Sequence, residues 1–470
     1  MNTHPPRPLR FAVAPSGFKE SLSAREAAEA IAEGLRRVAP DAETDLIPLV
    51  DGGEGTAEAL AAATGGALHA VRATGPTGDP IASHFALLGT AARGGALAAA
   101  APAGPAGPPG LAGPAGAERT AVVEMAAVAG LSLVPPHRRD PGATTTRGVG
   151  ELIRAALDCG ARRVLVGCGD SGTSDGGAGA LQALGARLLD AEGRELPPGG
   201  RALTRLARID PSGLDPRLAD TTLLVACNPF NVLCGPRGVA RVFGPQKGAT
   251  PDQVEELAAA LDHWAAVLAR DVLTPRAAGP AAPTDLRHGP GTGASGGLGA
   301  GLAALGGQLL PRFDVLLDGL GLDARLARAD LVVTAEGALD GQTTRGKVPA
   351  EVARRAKAHG RPVLALAGTI GAGAREVRGA GVDAYRGILP APVGLAEALD
   401  RAREFLTDAT EEALRMILIG TRIDAGAGRH TGGHPGTHSS PHASTHTSAA
   451  RPPAPSVEPP AVRAARAVRG

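Results

Sequence analysis

The sequence predicts an α/β protein with a largely parallel sheet. Short β-branched or aliphatic runs alternate along it with Ala-rich amphipathic runs, the pattern of strands joined by crossover helices. Glycine-rich loops stand at several of the strand-to-helix junctions, where a chain turning sharply needs positive φ. A length of 470 residues exceeds one ordinary hydrophobic core and points to two domains. Because aromatic residues make up only 2% of the chain, the core must be built from Ala, Leu and Val.

The elements follow in order. LRFAVA reads as a strand and PSGFKES as a loop. SAREAAEAIAEGLRRV reads as a helix opened by a capping box, Ser23 with Glu26 three residues on. ETDLIPLV is strand-like, and the loop DGGEGT leads to a helix from about Thr56. SHFALL and TAVVEMA are strand-like runs separated by Gly94 to Glu118, nearly all Ala, Gly and Pro. That segment reads as a long unstructured hairpin loop, since it cannot bury enough apolar surface to order itself. RVLVG is a buried strand, and ALQALGARLL an amphipathic run after the loop GCGDSGTSDGGAG. EELAAALDHWAAVLARD is helical, with Trp264 in a packing role. ADLVVT is a strand, EGALDGQTTRGK a long loop, PAEVARRAKAHG a helix with Pro349 at its first position, and PVLALAG a further buried strand. From about Gly426 the chain is rich in His, Pro, Ser, Thr and Arg. Its histidines (His430, His434, His438, His442, His446) recur every fourth residue, but Gly and Pro forbid the helix that would stack them as metal ligands, so a disordered tail is expected.

Several function classes fall away. Lys and Arg number 48 against 47 Asp and Glu, so no global field steers the chain to nucleic acid or to anionic lipid. Cys159, Cys168, Cys227 and Cys234 form no CxxC pair and lack His at ligand spacing, which leaves them as small hydrophobes. With no signal-like apolar core at the start and no uninterrupted apolar run of 18 residues, a cytoplasmic protein is expected.

Five loops share an inventory of acid, glycine and basic or hydroxyl residue. They are APSGFKES with Lys19, VDGGEGT with Asp51 and Glu54, GDSGTSDGG with Ser171 and Asp175, FGPQKGAT with Lys247, and EGALDGQTTRGK with Glu336, Asp340 and Lys347. One such loop is an ordinary turn with a capping Asp. Five together match what phosphoryl transfer requires: backbone amides and lysines for phosphate oxygens, carboxylates for magnesium, and one more to take the proton of the attacking hydroxyl. Two familiar fingerprints are not in their proper context. Gly341 to Lys347 fits GxxxxGK, but Val348 replaces the Ser/Thr that would touch magnesium. Gly291, Gly293 and Gly296 fit GxGxxG, but no strand precedes them.

In order along the chain stand APSGFKESLSA, LVDGGEGT, ATGPTGDP, VEMAAVAGL, TTTRGVGELIRAALDCG, DSGTSDGGAGALQALGARLLD, GPRGVARVFGPQKGAT, ASGGLGAGL and EGALDGQTTRGKVP. This series resembles the bacterial type I glycerate kinase family, from about Leu9 to Ile419. The resemblance implies ATP- and magnesium-dependent phosphorylation of D-glycerate, usually at the 2-hydroxyl. It also implies two unlike α/β domains with the active site in the cleft between them. One is flavodoxin-like and discontinuous, residues 8–65 plus 288–420; the other is an inserted mixed α/β domain, residues 66–287, carrying the loop 94–118; a disordered tail occupies 421–470. The site residues expected on this basis are Lys19, Asp51, Glu54, Asp175 and Asp340 for catalysis. Ser171, Lys247, Gly296, Gly297 and Lys347 would bind substrate or phosphate, and Asp175, Glu336 and Asp340 would serve as metal ligands or as the base. For Asp175, followed by Gly176, Gly177 and a helix, capping is the competing reading.

The chain departs from the family pattern at four places. Ser16 stands where an aspartate is usual, Asn228 likewise, and Ala338 replaces a basic residue. The glycine loop has gained Asp170 and carries Ser174 in place of asparagine. This exchange of acids suggests that Asp170 takes over a metal or hydroxyl contact. It also keeps two further readings open, a kinase of a related small hydroxy acid and a non-catalytic ligand-binding relic of the same fold. The small molecule and ATP are the expected partners, with no nucleic acid or membrane, and homo-oligomerisation stays open.

Overall fold

The computed structural model describes residues 7–18, 21–89, 119–273, 285–317 and 321–430. The chain divides into two compact units, Met1–Ile417 and Leu418–Gly470. In the second, the described residues 418–430 are helical. Both the Ala/Gly/Pro segment 94–118 and the tail from residue 431 lie outside the described residues, whereas 421–430, expected as the start of the tail, belong to the helix Ala402–His430. No proline interrupts that stretch before Pro435, so nothing stops the helix earlier.

Within the first unit the strands form two large sheets and a separate antiparallel pair, the seventh and eighth strands in chain order. In chain order they are β1 (Arg10–Val13), β2 (Glu43–Leu46), β3 (Ala67–Thr74), β4 (Pro80–Leu87), β5 (Thr120–Glu124), β6 (Arg163–Gly167), β7 (Arg187–Leu189), β8 (Arg208–Asp210), β9 (Thr222–Cys227), β10 (Gln308–Pro311), β11 (Leu331–Leu339), β12 (Val363–Ile370) and β13 (Ala384–Gly387). The five-stranded sheet runs β13-β12-β11-β1-β2 and is wholly parallel. Counted within itself its order is 2-1-3-4-5, the flavodoxin arrangement, which reverses direction between β1 and β11. The six-stranded sheet runs β10-β9-β6-β5-β4-β3; β10, β9, β6 and β5 are parallel, whereas β4 and β3 are antiparallel to their neighbours. The antiparallel pairing of β4 with β5 is the one expected of the two runs flanking the Ala/Gly/Pro segment.

Local capping signals open two of the long helices. Ser23 and Glu26 form the reciprocal capping box of helix Ala24–Val38, and Thr250 with Gln253 forms another for Pro251–Asp271. The helix Val348–Ala358 begins one residue earlier than its proline suggested. Strand β11 runs on to Leu339, beyond the expected ADLVVT, because its far half pairs with β12 as far as Ile370. Glu336 is therefore a strand residue rather than a loop residue.

Sheet membership is wider than the sequence boundaries. Helix Thr56–Thr64, assigned by sequence to the flavodoxin-like part, packs its Ala57, Leu60 and Ala61 on the six-stranded sheet with Val315 and Leu316. After residue 288, helix Ala294–Ala304 covers the opposite face of that sheet and β10 forms its edge. Amphipathicity marks a buried face but not which sheet receives it.

Ser295, Gly296 and Gly297 all have positive φ, so the chain makes a left-handed passage before the helix proper. A Cβ on Gly296 would collide with the Thr173 carbonyl oxygen, so this glycine is required by two backbones in contact. Gly296→Ala is expected to destabilise the chain by about 2–4 kcal/mol, from a steric clash added to left-handed strain. Urea unfolding with tryptophan fluorescence checks this, since the single Trp264 is fully buried and donates from Nε1 to the Gly176 carbonyl at 2.9 Å.

Candidate active site

The carboxyl ends of the parallel strands in both sheets converge on the loop DGGEG. In the first sheet, Ser16 follows β1 and donates from Oγ to the Ala335 carbonyl at 3.1 Å, one residue before Glu336. This is the point where strand order reverses, the position at which open α/β sheets bind ligands. In the second sheet, Asp170 follows β6, Asn228 follows β9 and Arg312 follows β10. Gly52 packs against the Cys168 backbone, and the space over Gly53 is flanked by Asp170 Oδ2 on one side and Asp51 Oδ1 on the other.

Around Lys347 the charged groups of EGALDGQTTRGK gather. Its ammonium lies 3.2 Å from Asp340 Oδ1, 3.9 Å from Glu336 Oε1, and donates to the Ala338 carbonyl at 3.3 Å. Glu336 is only 6% exposed and accepts from Thr343 Oγ1 at 2.7 Å. Burial pushes its pKa up to about 7; Lys347 and the Thr343 hydroxyl pull the other way, while the charges of Asp340 and Asp51 add to the rise. A carboxylate poised near neutrality beside a lysine can take a proton from an alcohol. Asp51 is fixed at both oxygens, Oδ1 accepting from Gly53 N–H at 3.2 Å and Oδ2 from Arg312 Nη1 at 3.1 Å. Asn228 Nδ2 donates to the Arg345 carbonyl at 3.0 Å, which ties the end of β9 to the same loop.

Four of the five residues singled out as unusual in these loops border one group of residues, whereas Ser174 is buried against Gly200 and Gly296. Ser16 borders Glu336, Ala338 receives Lys347, Asn228 holds Arg345, and Asp170 leans over Gly53 toward Asp51. Asp170 is exposed and has a left-handed backbone, φ 49°, rare for a non-glycine residue.

Lys19 lies outside the described residues. Glu54 is exposed, and its charge reaches Glu124 rather than Glu336. Asp175 is fully buried and takes four donors: Thr146 N–H at 2.8 Å, Thr146 Oγ1 at 2.9 Å, Gly177 N–H at 3.1 Å and Gly179 N–H at 3.2 Å. Burial drives its pKa up and these donors oppose the rise. It joins the starts of helices Arg147–Asp158 and Ala178–Ala183, the capping reading. Gly296 and Gly297 pack against the backbones of Thr173 and Gly176.

Lys247 is 2% exposed beneath the glycine loop, where Nζ donates to Ser171 Oγ at 2.8 Å and to the Thr173 carbonyl at 2.6 Å. It therefore shapes the loop that presents Ser171. Burial lowers its pKa to about 7, partly offset by Asp175. Between that value and the ordinary lysine range the unfolded chain holds a proton the folded chain lacks, so this group makes stability rise with pH. Relative to Lys247→Met, the wild-type protein is expected to gain stability from pH 7 to pH 10, as denaturation midpoints measured across that range would show.

Two residues of the site, Arg312 and Thr343, and the buried Glu124 outside it were not singled out from sequence. Arg312 bridges Asp51 and Gly346, Thr343 donates to Glu336, and Glu124 ends β5 and accepts from Ala57 N–H at the start of helix Thr56–Thr64. Burial pushes Glu124 up to about 7, against the amides of Ala57 and Gly55. A lone acid in the apolar run VEMAAVAGL was the available signal for Glu124; Arg312 gave none.

The described residues contain no group of three or more His, Cys, Asp or Glu side chains arranged to hold a metal ion, and no helix long and apolar enough to cross a membrane. The family model described as the glycerate kinase family matches residues 11–418. A glycerate kinase of Bacillus subtilis (strain 168) is 43% identical over 399 residues, 85% of this chain and 95% of its own length. Glycerate 2-kinase of Escherichia coli (strain K12) is 40% identical over 415 residues, 88% of this chain and 99% of its own. A crystal structure of a glycerate kinase 2 from Salmonella typhimurium LT2 superposes with a TM-score of 0.65 at 40% identity, covering 88% of this chain and 99% of that one.

Proposed function

This chain belongs to the glycerate kinase family, and on that premise we propose that it transfers the γ-phosphoryl group of ATP to the 2-hydroxyl of D-glycerate, giving 2-phosphoglycerate. The observation that carries the reading is the meeting of Glu336, Asp340, Lys347 and Asp51 at the switch point of the flavodoxin-ordered sheet.

In this proposal Glu336 accepts the proton of the attacking hydroxyl, since its pKa near 7 leaves it basic enough and still ionised at neutral pH. Lys347 offsets negative charge on the transferred group, and its present contacts with Asp340 and Glu336 hold its ammonium ready. Ser171, oriented by Lys247, donates to a phosphate or substrate carboxylate oxygen. Asp175 keeps the glycine loop in place and is left out of the reaction.

A nucleotide-borne magnesium needs one or two protein carboxylates, and the rest of its shell comes from phosphates and water. The donor set fits such an ion, with Asp340 and Asp51, whose charges both reach Glu336, as its holders. Bound there, the ion would neutralise charge on the β- and γ-phosphate oxygens.

The test is ADP release by the purified chain with magnesium, ATP and a panel of small hydroxy acids, with 31P NMR of the product. D-glycerate as best substrate and 2-phosphoglycerate as product support the reading. Formation of 3-phosphoglycerate would overturn its regiochemistry. A second reading, a kinase of a related hydroxy acid, rests on one observation: Ser16, Asn228, Ala338 and Asp170 all border the proposed reaction site. Turnover confined to another acid would establish it.

A further inference from the structure

We propose that Arg312 is a positioning residue of the phosphoryl-transfer site, one guanidinium that sets both the Asp51 loop and the Lys347 loop. The inference rests on the reading above, in which Asp51 and Lys347 serve the reaction.

Arg312 is the first residue after β10, and its side chain is 12% exposed. Nη1 donates to the Asp51 carbonyl at 3.0 Å and to Asp51 Oδ2 at 3.1 Å. Nη2 donates to the Gly346 carbonyl at 2.5 Å. The guanidinium carbon lies 4.8 Å from the centre of the Phe313 ring, which limits its swing from one side. Its positive charge also reaches the buried thiols of Cys168 and Cys227 beneath the site.

Each contact has a consequence one step further on. With Oδ1 already held by the Gly53 amide, the Arg312 contact at Oδ2 leaves the Asp51 carboxylate a single orientation. Gly346 directly precedes Lys347 and has φ 90°, so the hold on its carbonyl fixes the peptide from which the lysine reaches Asp340 and Glu336. Only a planar fork spans both loops at once; a lysine ammonium on the same stem could satisfy one of them. Nε is buried without a hydrogen-bond partner, so the side chain lies where the two loops need it although one of its own donors goes unmet. Arg312 is not placed against the reacting atoms and acts through Asp51 and Lys347.

The test is steady-state kinetics on Arg312→Lys, Asp51→Asn and the double variant, with magnesium, ATP and D-glycerate. Arg312→Lys is expected to lower kcat by roughly 30–100-fold, with the KM for ATP changed by less than about threefold, the pattern of misplaced rather than missing groups. Because Arg312 works through Asp51 as well as Lys347, the loss in the double variant is expected to fall short of the product of the two single losses. Guanidinium ion added to Arg312→Ala is expected to restore activity by at least about fivefold, a rescue that ammonium should not give. Hydrogen exchange on Arg312→Lys should quicken over residues 47–55 and 341–347 and nowhere else, a measurement that needs no activity. Multiplicative losses in the double variant, wild-type kcat in Arg312→Lys, or exchange quickened throughout the chain would each overturn the inference. Full activity in Asp51→Asn would instead overturn the role given to Asp51, a separate failure.

Discussion

Glu336→Gln is expected to lower kcat by roughly 100- to 10,000-fold, the usual worth of a general base, while the KM for ATP stays within a few-fold. Glutamine keeps the shape and can still accept from Thr343 Oγ1, so the loss isolates the proton-accepting function. The same group predicts a pH dependence with a definite sign. Its pKa is raised to about 7, first by burial, and only its ionised form can act as base. The wild-type kcat/KM should therefore fall about tenfold per unit as pH drops below 7, and the residual activity of Glu336→Gln should lack this limb. Stopped-time ADP assays between pH 5.5 and 8.5 measure both. A Gln variant within threefold of wild type would remove Glu336 from the chemistry and return the base to Asp51 or Asp340.

The largest effect on stability is expected at Asp175. Asp175→Asn should destabilise the folded chain by about 3–5 kcal/mol, read as a lowered urea midpoint followed by Trp264 fluorescence. All four of its partners are donors: the amides of Thr146, Gly177 and Gly179 and the Thr146 hydroxyl. An asparagine would turn an NH2 group toward donors inside a fully buried site. Two helix starts would lose their shared cap at once. If the variant instead remained as stable as wild type with turnover abolished, Asp175 would belong to the reaction and the capping reading would fall.

Particular residues show how far the sequence could be read. RVLVG is β6 residue for residue, and the Ser23–Glu26 capping box opens its helix where expected, because both depend on neighbours within four positions. The composition of the five loops pointed to charged groups at strand ends, and residues of these loops do meet, as Lys247 with Ser171 and Lys347 with Asp340. What the composition did not distinguish is direction. In DGGEG, Asp51 turns to Arg312 while Glu54 is exposed beside Glu124. In GDSGTSDGG, Asp170 leans toward Gly53 while Asp175, five residues later, is buried under two helices. Arg312 was invisible because its partner lies 261 residues away, and no local pattern marks such a pair.

The sequence by itself determined the class of fold, many of its strands and helices, and the family. These rest on side-chain periodicity, capping and turn residues, which act within a few residues of chain. The tertiary structure alone decided which acids stand together, which is buried with a pKa raised to near neutrality and which caps two helices. Burial and charge partners set those properties, and both arise only when distant strands are laid side by side in one sheet, Val13 of β1 beside Val333 of β11. Glu336, read from sequence as a loop carboxylate for metal or base duty, is a buried strand carboxylate at the switch point for that reason.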